Sequence, residues 1–257
     1  MALKVYVDRM SQPSRAVLIF CKVNGIAFEE VRVDLSKLQQ LSPEFKEVNP
    51  MAKVPAIVDG RFKLFESHAI LIYLSCAFPG VADHWYPADL FRRAKINSVL
   101  DWHHSNLRIG AAPFVFSTVL APLFGRPQNS QAAAEAEVLL SKSLSKIESF
   151  WLKGNGKFLV GGLKPSIADL SLVCEIMQLE TFHGFHWTLM VVVNLLNMQL
   201  LDEKDRSRIL GPYQKVREWV ENTRNAANPH FDEVHKLLFK LKATLQKQRS
   251  EKLTSKM

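Results

Sequence analysis

Hydrophobic and polar positions alternate with two different periods along the first eighty residues. Leu3-Lys4-Val5-Tyr6-Val7-Asp8 changes sides at every residue, as a half-buried strand does. Between Pro13 and Asn24 the apolar residues Val17, Ile19, Phe20 and Val23 recur at helical spacing, and Gly25 stops that helix. Phe28 to Val33 reads as a second strand. Ala56-Ile57-Val58 and Phe62-Lys63-Leu64-Phe65 read as two more, flanking Asp59-Gly60, a dipeptide suited to a tight hairpin. Ser67 to Ala77 predicts a closing helix. The expected order is strand, helix, strand, helix, two strands and a helix.

Pro79 to Pro87 carries a Pro-Gly and a Trp-Tyr-Pro step and reads as an ordered linker. Everything beyond it has helical character. Leu90 to Ile109 predicts one long helix, Ala132 to Trp151 a second, and Pro165-Ser166-Ile167-Ala168-Asp169 the start of a third. Ser166 is placed to cap that third helix, with Asp169 as its reciprocal partner where Glu or Gln is more usual. An α/β unit followed by an all-helical one is therefore expected. Thr181 to Leu201 contains no charged residue, but His183, His186, Asn194 and Asn197 interrupt it, and its strongly apolar core is too short for a membrane span. Met177-Gln178-Leu179 recurs as Met198-Gln199-Leu200, which marks 181–201 as an insertion that extends a helix or forms a surface hairpin.

Composition narrows the class without naming a function. The chain has 257 residues, 47% of them hydrophobic and 23% charged, as expected of a protein with a sizeable core. Its N-terminus lacks the apolar run of a signal peptide. Cys21, Cys76 and Cys174 have neither disulfide nor metal-ligand spacing and are expected as buried thiols in a reducing compartment. The net charge of +8 raises the question of nucleic acid. Much of the excess lies in Lys236, Lys240, Lys242, Lys247, Arg249, Lys252 and Lys256, interleaved with Leu237, Leu238, Leu241 and Leu245, which fits a solvated helix face better than a nucleic-acid surface.

Candidate chemistry sits in three short stretches, in this order: Met10-Ser11-Gln12-Pro13-Ser14-Arg15, Lys53-Val54-Pro55-Ala56 and Glu66-Ser67-His68-Ala69-Ile70. Ser11 falls where the first strand gives way to the first helix, so its hydroxyl can face a ligand beside the helix's positive end. A disulfide reductase would need a thiol here; Ser11-Gln12-Pro13-Ser14 has none, which disfavours thiol exchange. With Asp83-His84-Trp85-Tyr86-Pro87 and Ser166-Ile167-Ala168-Asp169-Leu170, these stretches make the chain resemble a theta-class glutathione transferase of the plant type, from Leu3 to about Leu179 and again from Leu201 to about Phe239. The resemblance implies an α+β two-domain protein, with a thioredoxin-like glutathione-binding domain over 1–79, an all-α electrophile-binding domain over 88–245 and a basic tail over 246–257. The family pattern passes directly over 181–201. A homodimer is also implied.

The same resemblance assigns the glutathione site to Ser11, Gln12, Gln40, Lys53, Val54, Pro55, Glu66 and Ser67. Ser11 would donate a hydrogen bond to the glutathione sulfur. A free thiol has a pKa of about 8.5, and a hydrogen bond to a charged group is worth about 1.5–3 kcal/mol, or roughly one to two pKa units, so one donor makes thiolate the major form near neutrality. Pro55 would be cis and would expose the Val54 backbone to the cysteinyl part. Ser67, at a helix start next to Glu66, suits the γ-glutamyl carboxylate. Gln40, in preference to Gln39, and Lys53 would lie near the glycyl carboxylate.

His104, Asn106 and Arg108 are expected on the helix that walls the electrophile site. His103 and His104, as neighbours on a helix, would not share a face, and no metal is assigned. Ser255-Lys256-Met257 resembles a peroxisomal address read by an import receptor, so the expected location is cytoplasmic, peroxisomal or both. The expected activity is conjugation of glutathione to electrophiles, with glutathione-dependent reduction of organic hydroperoxides. The alternative is a catalytically weak transferase-like binding module altered by the 181–201 segment. Neither nucleic acid nor a membrane span is expected.

Overall fold

The computed structural model describes residues 2–121, 127, 129–180 and 203–240. The expected insertion at 181–201 and the whole basic tail over 246–257, with its Ser255-Lys256-Met257 address, lie outside them. Two compact units do not follow chain order. One gathers Met1–Leu100, Gly154–Cys174 and Trp219–His235; the other gathers Asp101–Lys153, Glu175–Glu218 and Lys236–Met257.

The first unit holds a four-stranded sheet of β1 (Leu3–Val7), β2 (Phe28–Arg32), β3 (Ala56–Asp59) and β4 (Phe62–Phe65), in the order β2-β1-β3-β4. β1 runs parallel to β2, with Val5 opposite Glu30, and antiparallel to β3, with Val5 opposite Ile57. A parallel pair needs a crossover, and α1 (Gln12–Val23) supplies it. Leu3, Val5 and Val7 are buried against the run from Ala16 to Cys21, as the two periods of the sequence require. Gly25, at φ +63°, ends α1: its N–H donates to Lys22 O at 3.2 Å and the Ile26 N–H to Cys21 O at 2.9 Å, the paired bonds of a Schellman turn.

After β2 come α2 (Pro43–Val48) and the hairpin, then α3 (Ser67–Ala77). The hairpin differs from expectation by one residue. Asp59 pairs with Phe62, so Gly60 at φ +61° and Arg61 form the loop, and Asp59 belongs to the strand. Cys76 corrects the expectation of three buried thiols, because it lies on the outer side of the last turn of α3. Cys21 and Cys174 are buried, and burial pushes the Cys21 thiol up to about 12.

Later segments complete this unit. Trp85 is buried edge-on against Phe20, with ring centroids 5.5 Å apart. The fully buried carboxylate of Asp169 accepts from Leu159 N at 2.8 Å, Ser166 N at 2.7 Å, Ser166 Oγ at 2.7 Å and the Trp219 indole N–H at 2.8 Å. The predicted cap is half reciprocal: Asp169 takes the Ser166 N–H as expected, but the Ser166 hydroxyl donates to Asp169 instead of capping the helix. Aspartate is one methylene shorter than glutamate, which brings its oxygens within reach of the hydroxyl.

The predicted helix beyond Leu90 is longer and less regular than its sequence spacing implies, and its first eleven residues belong to the first unit. α4 (Leu90–Trp102) passes into a widened π-helical turn (His103–Leu107), then α5 (Arg108–Val115) and a second π turn (Phe116–Leu120). The two histidines take different faces, as expected: His103 is buried and His104 exposed, although their rings stack with centroids 5.7 Å apart and planes 15° apart. α5 crosses α6 (Ser130–Lys146) at Gly110, where an added Cβ would lie 2.4 Å from Leu140 N. Asn129 caps α6 by accepting from Ala132 N at 2.9 Å. Between them, the carboxylate oxygens of Glu148 accept from Lys215 N at 3.1 Å and Val216 N at 2.9 Å.

Asp169 lies in the first turn of α7 (Ile167–Glu180), and beyond it come α8 (Glu203–Leu210) and α9 (Gln214–Ala227). Helical backbone resumes over 230–240, where Lys236 and Lys240 are exposed and Leu238 is buried, the amphipathic face read from the sequence. Among the described residues no helix is long and apolar enough to cross a membrane.

Candidate functional site

Sheet direction collects the three motifs. β1 points the same way as β2 and opposite to β3, which opposes β4. The C-terminal ends of β1, β2 and β4 and the N-terminal end of β3 therefore share one edge. Ala56 shows the convergence directly, since it pairs with Tyr6 on one side and with Phe65 on the other. From that edge leave the Ser11 loop, the segment carrying Gln40, the Val54-Pro55 step and Glu66-Ser67.

Ser11 is the residue that precedes α1, with φ −79° and ψ 125°. Its side chain makes no capping hydrogen bond, and among the described residues its hydroxyl engages no other group. A plain helix cap would have directed it at the backbone N–H groups of the first turn. The residue is 9% exposed, so the hydroxyl is held in the wall of the protein and left available. Gln12 follows it, half-buried, as the first helical residue.

The Val54–Pro55 peptide is cis, as the resemblance implies. Pro55 is buried and Val54 half-buried, while the Lys53 side chain is exposed. Asn49, itself buried, shapes this turn: its Nδ2 donates to Lys53 O at 2.7 Å and its Oδ1 accepts from Met51 N at 2.9 Å. Gln39 and Gln40 separate cleanly. Gln39 Oε1 accepts from Asp34 N at 2.8 Å, whereas Gln40 Oε1 is buried without a partner. That difference favours Gln40 for a ligand.

Glu66 and Ser67 open α3. Glu66 adopts φ +69° and ψ 113°, a region that costs a non-glycine residue about 1–3 kcal/mol and that tends to occur where a ligand is held. Ser67 is buried and its hydroxyl engages no other described group. The first N–H groups of α3 have no acceptor within their helix, so this corner presents donors suited to a carboxylate.

The expected electrophile residues lie on and after the first π turn of the second unit. His104 is exposed. Asn106 uses its amide locally, donating to Trp102 O at 3.1 Å and Ser105 Oγ at 2.9 Å. Arg108 donates through Nη1 to Glu175 Oε2 at 2.7 Å, and His103 Nε2 lies 3.4 Å from the same oxygen. Burial pushes the Glu175 carboxyl up, but His103 and Arg108 outweigh it and hold the group below the usual carboxylate range. Among the described residues no group of three or more His, Cys, Asp or Glu side chains could hold a metal ion.

Sequence reasoning passed over Asp8, Asn49 and Glu175, and gave Arg15 and His103 no role. For Arg15 and Glu175 a signal was present: each is a lone charge in an otherwise apolar helical run, and such a charge is buried only with partners.

Comparison with known proteins agrees with this geometry. The family model described as the glutathione S-transferase N-terminal domain matches residues 1–75. Glutathione S-transferase T1 of Arabidopsis thaliana is 64% identical over 256 residues, covering 100% of this chain and 97% of that protein. Glutathione S-transferase T2 of the same plant is 62% identical over 256 residues, and the chain spans 40% of its length. The human glutathione transferase theta-2 structure, solved in complex with glutathione and an unknown ligand, superposes with a TM-score of 0.76 at 32% identity, over 96% of this chain and 91% of that one. The thioredoxin-like N-terminal sheet domain and helical C-terminal region are those of a glutathione transferase. The chain belongs to the plant-type theta class of glutathione S-transferases.

Proposed function

We propose that this chain conjugates the glutathione thiolate to small electrophiles and, at the same site, reduces organic hydroperoxides. The carrying observation is the Ser11 hydroxyl, buried beside the head of α1 and engaged by no described group. Donated to the glutathione sulfur, that O–H favours the anion, and the positive end of the helix adds to it. In conjugation the thiolate forms a carbon–sulfur bond as the leaving group departs with its electron pair. In peroxide reduction it attacks the distal oxygen, breaking the O–O bond to give an alcohol and a sulfenic acid. A second glutathione then yields the disulfide and water.

The remaining roles follow the corner geometry. Ser67 and the first N–H groups of α3 take the γ-glutamyl carboxylate, and the Val54 backbone pairs with the cysteinyl part. Gln40 and Lys53 meet the glycyl carboxylate, with Gln12 and Glu66 flanking the tripeptide. His104, Asn106 and Arg108 are assigned to the electrophile by the family resemblance, not by this corner. The expected domain division at 79 and 88 is part of this reading. A catalytically weak binding module is not favoured, because it gives the unengaged Ser11 hydroxyl no task.

The test is Ser11→Ala, assayed with an aryl halide and with cumene hydroperoxide. Glutathione affinity should persist while both rates fall roughly ten- to a thousandfold, as expected for one oriented donor worth about 1.5–4 kcal/mol. Full retention on immobilised glutathione with no turnover by the wild-type chain would instead favour the binding module.

Two further parts of the reading have their own tests. Leu90 and Phe91 are 73% and 83% exposed, and a second copy of this chain would cover them. Sedimentation should give a dimer that Phe91→Asp weakens; a wild-type monomer would contradict it. The Ser255-Lys256-Met257 tail is read as a peroxisomal address, alongside a cytoplasmic pool. A fluorescent fusion that stays wholly outside peroxisomes would remove that address.

A further inference from the structure

The two peptide planes that lead into Ser11 are each gripped on both sides. In the Arg9–Met10 peptide, the carbonyl accepts from Arg15 Nη1 at 3.1 Å and the N–H donates to Asp8 Oδ1 at 2.8 Å. In the Met10–Ser11 peptide, the carbonyl accepts from Arg15 Nη1 at 3.0 Å and the N–H donates to Asp8 O at 2.9 Å. A trans peptide points its C=O and N–H in opposite directions, so a hold at each end fixes the rotation of the whole plane. With the plane before it fixed and α1 beginning immediately after, Ser11 has one backbone conformation, and its Cα–Cβ bond has one direction.

Both clamping side chains are anchored elsewhere. Arg15 is fully buried, and its Nη2 donates to Cys174 O at 3.1 Å, on α7. Asp8 is buried too, and its Oδ2 accepts from Leu35 N at 3.0 Å, at the start of the segment that carries Gln40. A guanidinium can reach three carbonyls because its N–H groups fan out in one plane; a single ammonium cannot reproduce that spread.

We propose that Asp8 and Arg15 are a pair of positioning residues that aim the Ser11 hydroxyl at the glutathione sulfur. The inference rests on the role given to Ser11 above. Catalytic geometry is sensitive to displacements of about 1 Å, which can cost about a hundredfold in rate, so a clamp on the backbone that carries the donor matters without touching the ligand.

A double-mutant cycle on the full chain tests this. Arg15→Lys keeps the charge but not the spread of donors, and Asp8→Asn keeps the size but loses one of two acceptors. In the wild-type background each should lower the turnover number about tenfold and raise the pKa of the bound glutathione thiol, read by its ultraviolet absorbance, while KM for glutathione moves less than about threefold. In a Ser11→Ala background the same substitutions should change turnover by less than about twofold, because the donor they aim is gone. Equal losses in both backgrounds would overturn the proposal and point to a structural or direct electrostatic role. So would wild-type turnover and thiol pKa in both folded single variants. Circular dichroism checks folding, and Asp8→Asn carries the cycle alone if Arg15→Lys does not fold. A Ser11→Ala protein with wild-type rate and thiol pKa would reject the Ser11 reading itself, a separate outcome.

Discussion

Arg108 reaches across to Glu175 and donates to Oε2 at 2.7 Å, and that carboxylate is 1% exposed while the guanidinium is 37% exposed. The pair is a buried anion holding the root of a half-exposed cation. His103, 3.4 Å from the same oxygen, is the second group that the carboxylate holds. The direction of this cation is set by Glu175.

Replacing Glu175 removes the anion between two basic side chains and should cost about 1.5–3 kcal/mol, the range for a hydrogen bond to a charged group, because the guanidinium that loses its partner is half-exposed. Glu175→Gln is the conservative form. The sign of its pH dependence follows from the depressed pKa of Glu175 in the folded protein. Its stabilisation is fully present above the unfolded carboxylate value of about 4.3 and is lost as pH falls through the lower folded value. Urea unfolding at pH 7 and at pH 3.5 checks both points: the difference between wild type and Glu175→Gln should shrink at the lower pH. An equal difference at both would show that the carboxylate charge is not what is lost.

His235 predicts acid sensitivity in a different window. It is buried, stacked on Phe231 with centroids 4.2 Å apart, and bonded through Nδ1 to Phe231 O at 2.8 Å. Burial, reinforced by the Arg15 charge, holds its pKa well below the ordinary histidine value. The folded protein keeps the ring neutral while the unfolded chain protonates it below about pH 6.5, so stability falls with pH there by up to about 1.4 kcal/mol per unit. His235→Gln should flatten the unfolding free energy between pH 7 and 5.5. An unchanged slope would mean that another group titrates in this range.

Gly110 lies where α5 packs tightly against the backbone of α6. The nearest atom to an added methyl would be backbone, Leu140 N at 2.4 Å, so no side chain can turn aside to admit it. Gly110→Ala should lower stability by about 1–3 kcal/mol despite alanine's better helix propensity. Thermal unfolding reads the effect, and an unchanged or raised midpoint would show that the crossing is looser than described.

Much of this was legible locally. Gly25 and Gly60 fall at turns that require positive φ, and strand alternation at 3–7 placed Leu3, Val5 and Val7 in the core. Ser11, Pro55 and Ser67 were legible as residues at the ends of predicted elements, and the family resemblance supplied their roles. What stayed hidden depends on contacts between distant segments. Arg15 meets Cys174 O across 159 positions, and Arg108 meets Glu175 across 67. The π turn at 103–107 was also unreadable, because its residues keep ordinary helical spacing while the hydrogen-bond register widens by one.

The central claim is that the Ser11 hydroxyl holds glutathione as its thiolate, and titrating the thiol of bound glutathione by ultraviolet difference absorbance tests it most directly. The wild-type complex should lose its S–H proton roughly one to two units below the free value of about 8.5, and Ser11→Ala should return most of that difference. A bound thiol that titrates where free glutathione does, in the wild-type protein, would contradict the account.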